Sequence, residues 1–357
     1  MIEPPARTLV EVARPVASLV HGPRRPARVL GVYARAAYLR VGDRIVALTT
    51  ADAERLPFGL RLPFASRPDR PLLGLEPRSQ VTVGGGQLTV ETAAVALVAR
   101  AGALWDPRPS AGSLVWCATI LRARLDALSH LLAEQAPPES LAALVCGTPT
   151  DAPRAVAGTI DLSGTGRAAG DEPPPYLIAG LSVCENRCGE PATLDWRERA
   201  RRHLALLMRA LRQDDLGGVE AAARALVGLG PGLTPSADDV LGGMLAAGYF
   251  LGREFEPERR RWRAAGLLIR RAARGQTTPV SEALLACAAT GAVGESAGTL
   301  LQALVAPDAS RLAGALARTL ALGHTSGADV ALGILLGARL HLQARAATPP
   351  TTEEGAW

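Results

Sequence analysis

The spacing of apolar residues changes character about a third of the way along the chain. Before residue 110, short apolar runs alternate with turn residues, as in Val29–Val32, Ala37–Val41 and Arg44–Leu48. Short runs of this kind, bounded by turn residues, are typical of β-strands. We therefore predict a β-rich, barrel-like N-terminal domain over residues 1–110.

Turn residues within this region indicate how the strands connect. The Gly42-Asp43 pair and the three glycines at 84–86 tolerate the positive φ that short hairpin loops need, so we expect a hairpin at each. The prolines between residues 57 and 77 predict an irregular crossing segment. Two further prolines follow Trp105 and end the region.

After about Leu114 the apolar residues recur with a helical period. The pattern predicts helices at 114–134 and 140–145, and then a Pro- and Gly-rich stretch that contains candidate strands at 156–162 and 176–183. From Asp195 onward the chain is predicted to be almost wholly helical. The eight predicted helices span residues 195–213, 216–227, 235–252, 256–274, 279–290, 294–305, 308–322 and 326–345.

These patterns predict an α+β protein in which the β-rich domain is followed by a mainly helical domain over residues 111–345. Residues 346–357 are expected to form a disordered tail. A length of 357 residues fits about two domains. Hydrophobic residues make up 48% of the chain and aromatic residues only 4%, so we expect an aliphatic core.

The composition excludes several classes of chemistry. All 39 basic residues are arginine, and the chain has no lysine. It therefore has no lysine for a Walker-type phosphate loop, for a Schiff base with pyridoxal phosphate or for a kinase strand. The net charge is +5, but basic and acidic residues are interleaved, and no aromatic residues alternate with a basic stripe. We expect no nucleic-acid partner.

The cysteine pattern and the N-terminus favour the cytoplasm. Five cysteines at irregular spacing suit a reducing compartment. Cys184 and Cys188 form one C-x3-C pair, and a structural zinc site would need a second pair. The N-terminus has no signal-peptide pattern and no stretch resembles a transmembrane helix, so we expect no membrane association.

One segment stands out for its chemistry, the stretch Gly-Leu-Gly-Pro-Gly-Leu-Thr-Pro-Ser-Ala-Asp-Asp from Gly228 to Asp239. Its glycines and prolines predict a loop, and Thr234-Pro235 is typical of a helix cap followed by proline in the first turn. Asp238 and Asp239 then fall where negative charge meets the positive helix end. A plain loop with a cap accounts for all of this equally well.

A second copy of the pattern favours a functional site. Near the C-terminus the chain reads Gly-His-Thr-Ser-Gly-Ala-Asp-Val from Gly323 to Val330. Aligning Ser326 with Ser236 places Asp329 on Asp239, and each copy has a glycine seven residues after the serine. A third helix start, Thr277-Thr-Pro-Val-Ser281, repeats the Thr-Pro step. Helix N-termini bind small anions, so we predict that the three starts share one pocket.

The predicted site residues divide into two groups. His324, Asp239 and Asp329 are the candidate catalytic residues, because a histidine and carboxylates can exchange protons. Alternatively, the carboxylates cap their own helices or hold Mg²⁺, which we keep as a candidate cofactor. The candidate substrate-binding residues supply hydroxyls, backbone N–H groups, a carboxylate and a guanidinium: Gly230, Gly232, Thr234, Ser236, Asp238, Thr277, Thr278, Ser281, Thr325, Ser326, Gly327 and Arg274.

The three motifs, in this order, resemble the family of the AllH-type subunit of bacterial oxamate carbamoyltransferase. The resemblance is clearest over residues 220–340, with Ala237 in place of an expected glycine. It implies a subunit that acts with partner subunits in allantoin and purine breakdown. The implied reaction exchanges oxalurate and phosphate for oxamate and carbamoyl phosphate, all of which are small anions.

Two other functions fit the same residues. The acidic pairs before Gly- and Ala-rich helices are faintly similar to those of ADP-ribosylglycohydrolases, which would make the chain a Mg²⁺-dependent hydrolase of a phosphorylated or amide small molecule. Alternatively, the chain is a non-catalytic structural subunit whose small-residue helices dock its partners.

Overall fold

The structure is a computed structural model that describes residues 7–67, 69–91, 95–110, 117–146 and 195–347. The candidate strands at 156–162 and 176–183, and the pair Cys184 and Cys188, lie outside the described residues. Most of the predicted tail, from residue 348 onward, also lies outside them.

The N-terminal part of the chain is a closed eight-stranded barrel. Its strands are β1 (Arg7–Ala13), β2 (Arg25–Val32), β3 (Ala36–Val41), β4 (Arg44–Thr49), β5 (Gly59–Arg61), β6 (Val81–Gly84), β7 (Gln87–Val90) and β8 (Val95–Trp105). The order around the barrel is β1-β5-β4-β3-β2-β6-β7-β8, with β8 closing onto β1. The β1–β8 and β4–β5 pairs are parallel, whereas the other neighbours are antiparallel.

Local sequence explains the barrel's turns and its interior. Gly42 has φ +63° in the hairpin between β3 and β4, and Gly85 and Gly86 have φ +65° and +80° between β6 and β7, so both predicted hairpins are confirmed. Along β3, alternate residues such as Leu39 and Val41 are buried. Helix α1 (Arg14–His21) packs its apolar side onto the same core.

The remaining part of the described chain is mostly helical. After α1 the helices are α2 (Ala118–Gln135), α3 (Leu141–Cys146), α4 (Trp196–Arg212), α5 (Leu216–Leu226), α6 (Ser236–Gly252), α7 (Glu256–Ala273), α8 (Pro279–Ala288), α9 (Glu295–Val305), α10 (Arg311–Leu320) and α11 (Ser326–Ala347). All eight helices predicted from Asp195 onward are confirmed within a few residues, and so is the α+β architecture. None of the described helices is both long and apolar enough to cross a bilayer.

Helices α8 and α9 connect the barrel to the helical core. Val280 of α8 is buried in the barrel's hydrophobic cluster. The carboxylate of Glu54 accepts hydrogen bonds from the backbone N–H and the hydroxyl of Ser296, at 2.8 and 2.7 Å, near the start of α9. Arg61 pairs with Glu295 beside it at 3.3 Å. Val280 thus packs the start of α8, one of the three predicted helix starts, against the barrel, and the polar contacts do the same for the start of α9.

Candidate functional site

Helices α6 and α11 cross at glycines, with backbone packed against backbone. A methyl group on Gly243 would lie 2.2 Å from the carbonyl oxygen of Val330, and one on Gly333 would lie 2.1 Å from the carbonyl oxygen of Val240. The next contact, between Gly337 and Met244, lies further along both helices. Because the contacts advance along both chains together, the two helices run in the same direction. Their N-termini therefore lie side by side.

The sequence repeat corresponds to a local twofold relation between these two helix starts. The Ser326 hydroxyl, at the start of α11, lowers the pKa of Asp239 on α6. Equivalently, the Ser236 hydroxyl, at the start of α6, lowers the pKa of Asp329 on α11. Each serine thus reaches from its own helix to the aspartate of the other, and the paired glycines repeat the same exchange one turn later. The alignment made from sequence is a real structural equivalence.

Asp238 connects α6 to the preceding loop and to α8. Its Oδ1 atom accepts a hydrogen bond from the N–H of Gly228 at 2.8 Å. Its Oδ2 atom accepts from the hydroxyls of Thr277 and Ser281, the latter at 2.7 Å. Burial raises the pKa of Asp238, while these three hydrogen bonds favour its ionised form. Both carboxyl oxygens of Asp238 therefore accept hydrogen bonds from within the protein.

A capping interaction reinforces the same junction. The Thr278 hydroxyl accepts from the N–H of Ser281 at 3.1 Å, as a helix N-cap does, and donates to the carbonyl of Leu233 at 2.6 Å. Gly228, at φ +76°, lies so close to Gln276 that a methyl group would be 2.5 Å from its carbonyl oxygen. The loop before α6 and the turn before α8 are thus held together.

Asp329 receives backbone donors from α3, a helix that the sequence analysis did not place at the site. Its Oδ1 atom accepts hydrogen bonds from the N–H groups of Leu141 and Ala142, at 2.8 and 3.4 Å, at the start of α3. Asp329 is fully buried, and burial raises its pKa to about 6. No hydrogen-bond partner lies near its Oδ2 atom within the described residues. Backbone donors of this kind carry no sequence signal, so the helix predicted at 140–145 was not assigned to the site.

Asp239 lies between the two helix starts. It is 7% exposed, and burial raises its pKa well above the ordinary value, with a further contribution from the charge of Asp329. Hydroxyls of Thr234 and Ser326 hydrogen-bond to it and act in the opposite direction. The two hydroxyls also lie 3.0 Å apart. Like Asp329, Asp239 has an Oδ2 atom with no partner among the described residues.

The outer surface above these carboxyls is formed by two loops. Gly230 and Gly232 have φ +118° and +97°, a backbone conformation that side chains disfavour, and Gly232 is exposed. The ring of Trp196 packs against Gly230, a contact that sequence reasoning also missed. Thr325 and Ser326 are partly exposed in the second loop. We name these two loops, residues 228–235 and 323–326, the loop surface.

The structure thus separates the predicted site residues into internal and surface groups. The internal group is buried at the helix starts: Ser236, Asp238, Asp239, Thr278, Ser281, Gly327 and Asp329. The surface group retains exposure on or beside the loops: Gly230, Gly232, Thr234, Thr277, Thr325 and Ser326. Parts of the two loops are therefore exposed while the carboxyls are buried, and the Thr277 hydroxyl donates inward to Asp238.

His324 and Arg274 lie at the margins. The imidazole of His324 is 78% exposed, and its Nε2 atom lies 3.7 Å from the carboxylate of Glu139. Arg274 is exposed at the C-terminal end of α7. Among the described residues, no group of three or more His, Cys, Asp or Glu side chains is arranged to hold a metal ion. Asp238, Asp239 and Asp329 instead serve as acceptors for hydroxyl and N–H donors.

Residues 226–338 match the model of the family described as oxamate carbamoyltransferase subunit AllH. The match begins at the end of α5 and ends within α11, so it contains the loop surface and the starts of α6, α8 and α11. The resemblance predicted from the motifs is confirmed over this segment, which is less than half of the chain. The barrel, α3 and α4 lie outside it, and no solved structure matches the chain.

Proposed function

We propose that this chain is a subunit of an oxamate carbamoyltransferase complex and that its loop surface binds the small anionic substrates. The observation that carries the proposal is the family match over residues 226–338, which contains every residue of the loop surface. In the proposed reaction, phosphate attacks the carbamoyl carbon of oxalurate. The bond from that carbon to nitrogen breaks, and carbamoyl phosphate and oxamate are the products.

The helix starts suit such ligands on physical grounds. Two parallel helices direct their positive dipole ends towards the loop surface, and such ends favour carboxylate and phosphate groups. Among the described residues, no acceptor lies within hydrogen-bonding distance of the backbone N–H groups of Gly230 and Gly232. These N–H groups are available as donors. The hydroxyls of Thr234 and Thr325 lie on the same loop surface, where they also favour the ionised forms of Asp239 and Asp329. Fixed donors of this kind also stabilise charge that develops in a transition state.

The buried carboxyls support the surface without contacting a ligand. Asp238 holds the first loop against α8, and Asp329 holds the second loop against α3. An anion above them approaches hydroxyls and N–H groups first, because those groups lie between it and the carboxyl oxygens. Because the donors lie between the anion and the carboxyl oxygens, carboxyl groups can lie close to an anion site.

Calorimetric titration of the full chain with phosphate, carbamoyl phosphate and oxamate tests the proposal. We expect at least one ligand to bind with a millimolar or lower Kd. At ten times the Kd, it should stabilise the fold by about 1.4 kcal/mol. Thr234→Val and Thr325→Val should weaken binding severalfold. The control Thr290→Val, at the opposite end of α8, should leave it unchanged.

Adding the partner subunits turns the same variants into a test of catalysis. We expect carbamoyl phosphate to form from oxalurate and phosphate, and the loop-surface variants to slow the reaction. If all three ligands fail to bind, both alone and in the assembled complex, the proposed anion site is wrong. If the variants bind poorly but the complex retains full activity, this chain is a non-catalytic subunit.

A further inference from the structure

The outer side of α7 carries a row of exposed arginines with one leucine among them. Arg263, Arg270 and Arg271 are exposed, as is Arg274 at the end of the helix, and Leu267 is 66% exposed. Residues three and four apart lie on the same side of a helix, so Arg263 lies one turn before the leucine and Arg270 lies one turn after it. We name these five residues the arginine face.

Neither local ion pairs nor the helix dipole accounts for the arginine face. The ion pairs of α7 with described residues belong to arginines 259–261, near the start of the helix, and Arg263, Arg270 and Arg271 form none with them. Arg270 and Arg271 lie in the last turn, where the helix dipole favours positive charge. The dipole does not explain Arg263 in the middle of the helix, nor the exposed leucine beside it.

The same spacing recurs on α4. Leu206 is 54% exposed, with Arg202 four residues before it and Arg209 three residues after it. Helix α4 has six arginines and one acidic residue, and α7 has six arginines and two acidic residues. Together the two helices are more basic than the whole chain, whose formal net charge is +5. The positive charge of the protein is therefore concentrated on these two helices.

The surroundings of the arginine face favour a protein partner over a membrane or a nucleic acid. The apolar side of α7 is buried in the helical core through residues such as Trp262 and Ile269, so it is not available to enter a bilayer. None of the exposed side chains of α7 is aromatic, and stacking on bases would need such side chains. Arginine is instead enriched at protein interfaces, and its guanidinium pairs with carboxylates in two parallel hydrogen bonds.

We propose that the arginine face binds an acidic surface of a partner subunit, with Leu267 at the centre of the contact. This inference rests on the proposed function, which makes the chain a subunit of a complex. Carboxylates on the partner pair with the arginines at the edge and speed the encounter. Leu267 enters an apolar pocket between those carboxylates and excludes water from the centre.

The arginine face ends beside the loop surface. Helix α7 ends at Ala273, whose carbonyl accepts a hydrogen bond from the N–H of Gln276 at 3.0 Å. The carbonyl of Gln276 in turn lies against Gly228, at the start of the first loop. A subunit docked on α7 would therefore lie next to the proposed anion site.

Charge reversal tests the docking in the assembled complex. In the double variant Arg263→Glu with Arg270→Glu, attraction becomes repulsion, so the Kd for the partner subunits should rise at least about tenfold at low salt, measured by interferometry. The matched control, Arg28→Glu with Arg40→Glu, reverses two exposed arginines on the neighbouring barrel strands β2 and β3. It changes the net charge equally and should leave the Kd unchanged.

The leucine and the salt dependence provide separate readouts. Leu267→Ser should raise the Kd about tenfold. Leu9→Ser, at a leucine of β1 that is 57% exposed, is its control. Added salt should weaken binding of the wild-type chain and have less effect on the charge-reversed variant, because fewer attractive charges remain to be screened. Since these side chains are exposed, every variant should retain the wild-type Tm, which separates lost docking from misfolding.

The outcomes distinguish this inference from the proposed function. If the partner subunits bind the wild-type chain and both α7 variants with the same Kd, the arginine face is not the docking surface, and the proposed function is untouched. If the partner subunits do not bind the wild-type chain, the proposed membership of a complex is wrong, and the docking falls with it. Binding to anionic lipid vesicles or duplex DNA that only the α7 variants lose, with subunit binding unchanged, would also overturn the inference.

Discussion

The close crossing of α6 and α11 predicts that replacing Gly243 by a larger residue destabilises the protein. In Gly243→Ala the new methyl carbon would lie 2.2 Å from the carbonyl oxygen of Val330 and 2.9 Å from the backbone nitrogen of Ile334. An ordinary contact is 3.4–4 Å, so the overlap exceeds about 1 Å. Both clashing groups are backbone atoms of a packed helix and cannot rotate away. The helices must therefore separate along their contact.

The cost of that separation follows from known overpacking effects. Inserting a methylene into a well-packed core costs typically 1–3 kcal/mol, and a backbone clash belongs at or above the upper end. We expect Gly243→Ala to lose about 3 kcal/mol of unfolding free energy. In a chain of 357 residues, with an unfolding entropy of about 2.1 cal/mol/K per residue, that loss lowers the Tm by roughly 4 °C. In Gly333→Ala, the new methyl carbon on α11 would lie 2.1 Å from the carbonyl oxygen of Val240 on α6. We expect a similar loss of unfolding free energy.

The neighbouring glycine is the control. A methyl group on Gly242 would meet nothing within 4 Å, so only the higher helix propensity of alanine remains. Gly242→Ala should therefore stabilise the chain by up to about 1 kcal/mol. Urea unfolding of both variants measures the difference directly. If Gly243→Ala is as stable as Gly242→Ala, the close parallel crossing and the shared helix start that depends on it are wrong.

Other contacts lead to further expectations. Asp238→Ala leaves three donors, one of them the buried Ser281 hydroxyl, without their acceptor, and should cost about 3 kcal/mol, measured by urea unfolding against Asp238→Asn. Gly327→Ala would place a methyl group 1.8 Å from the carbonyl oxygen of Thr319, so it should lower the Tm more than any other glycine variant named here. Burial raises the pKa of Glu54, so the folded state holds its proton to higher pH than the unfolded state, and stability falls as pH rises above about 4.5. Glu54→Gln should flatten that decline in pH-dependent unfolding curves, and an unchanged slope would show that Glu54 titrates normally.

Much of the fold was predictable because it depends on local pattern. The helical period after Asp195 gave all eight helices, and glycine-containing turns gave both hairpins of the barrel. The barrel's closure through the parallel β1–β8 pair was not predictable in detail. Strand pairing between the two ends of a domain depends on long-range packing, and short apolar runs do not encode it.

The candidate site was predictable where the chain repeats itself. Aligning the two Ser-x-x-Asp segments identified Asp239 and Asp329 as equivalent, and their helix starts do meet. The donors to Asp329 come from the backbone of α3, nearly 190 residues away, and backbone N–H groups leave no trace in the residue types. The buried pair of Glu258 and His341 was missed because its partners are 83 residues apart and meet only through long-range packing.

A crystal structure of the chain with bound oxamate, or with phosphate, tests the central claim most directly. We expect the anion on the loop surface, within hydrogen-bonding distance of the N–H groups of Gly230 or Gly232, or of the hydroxyls of Thr234 or Thr325. An anion bound elsewhere, for example beside Arg209 in the groove between α4 and α5, with the loop surface empty at saturating ligand, would contradict the claim.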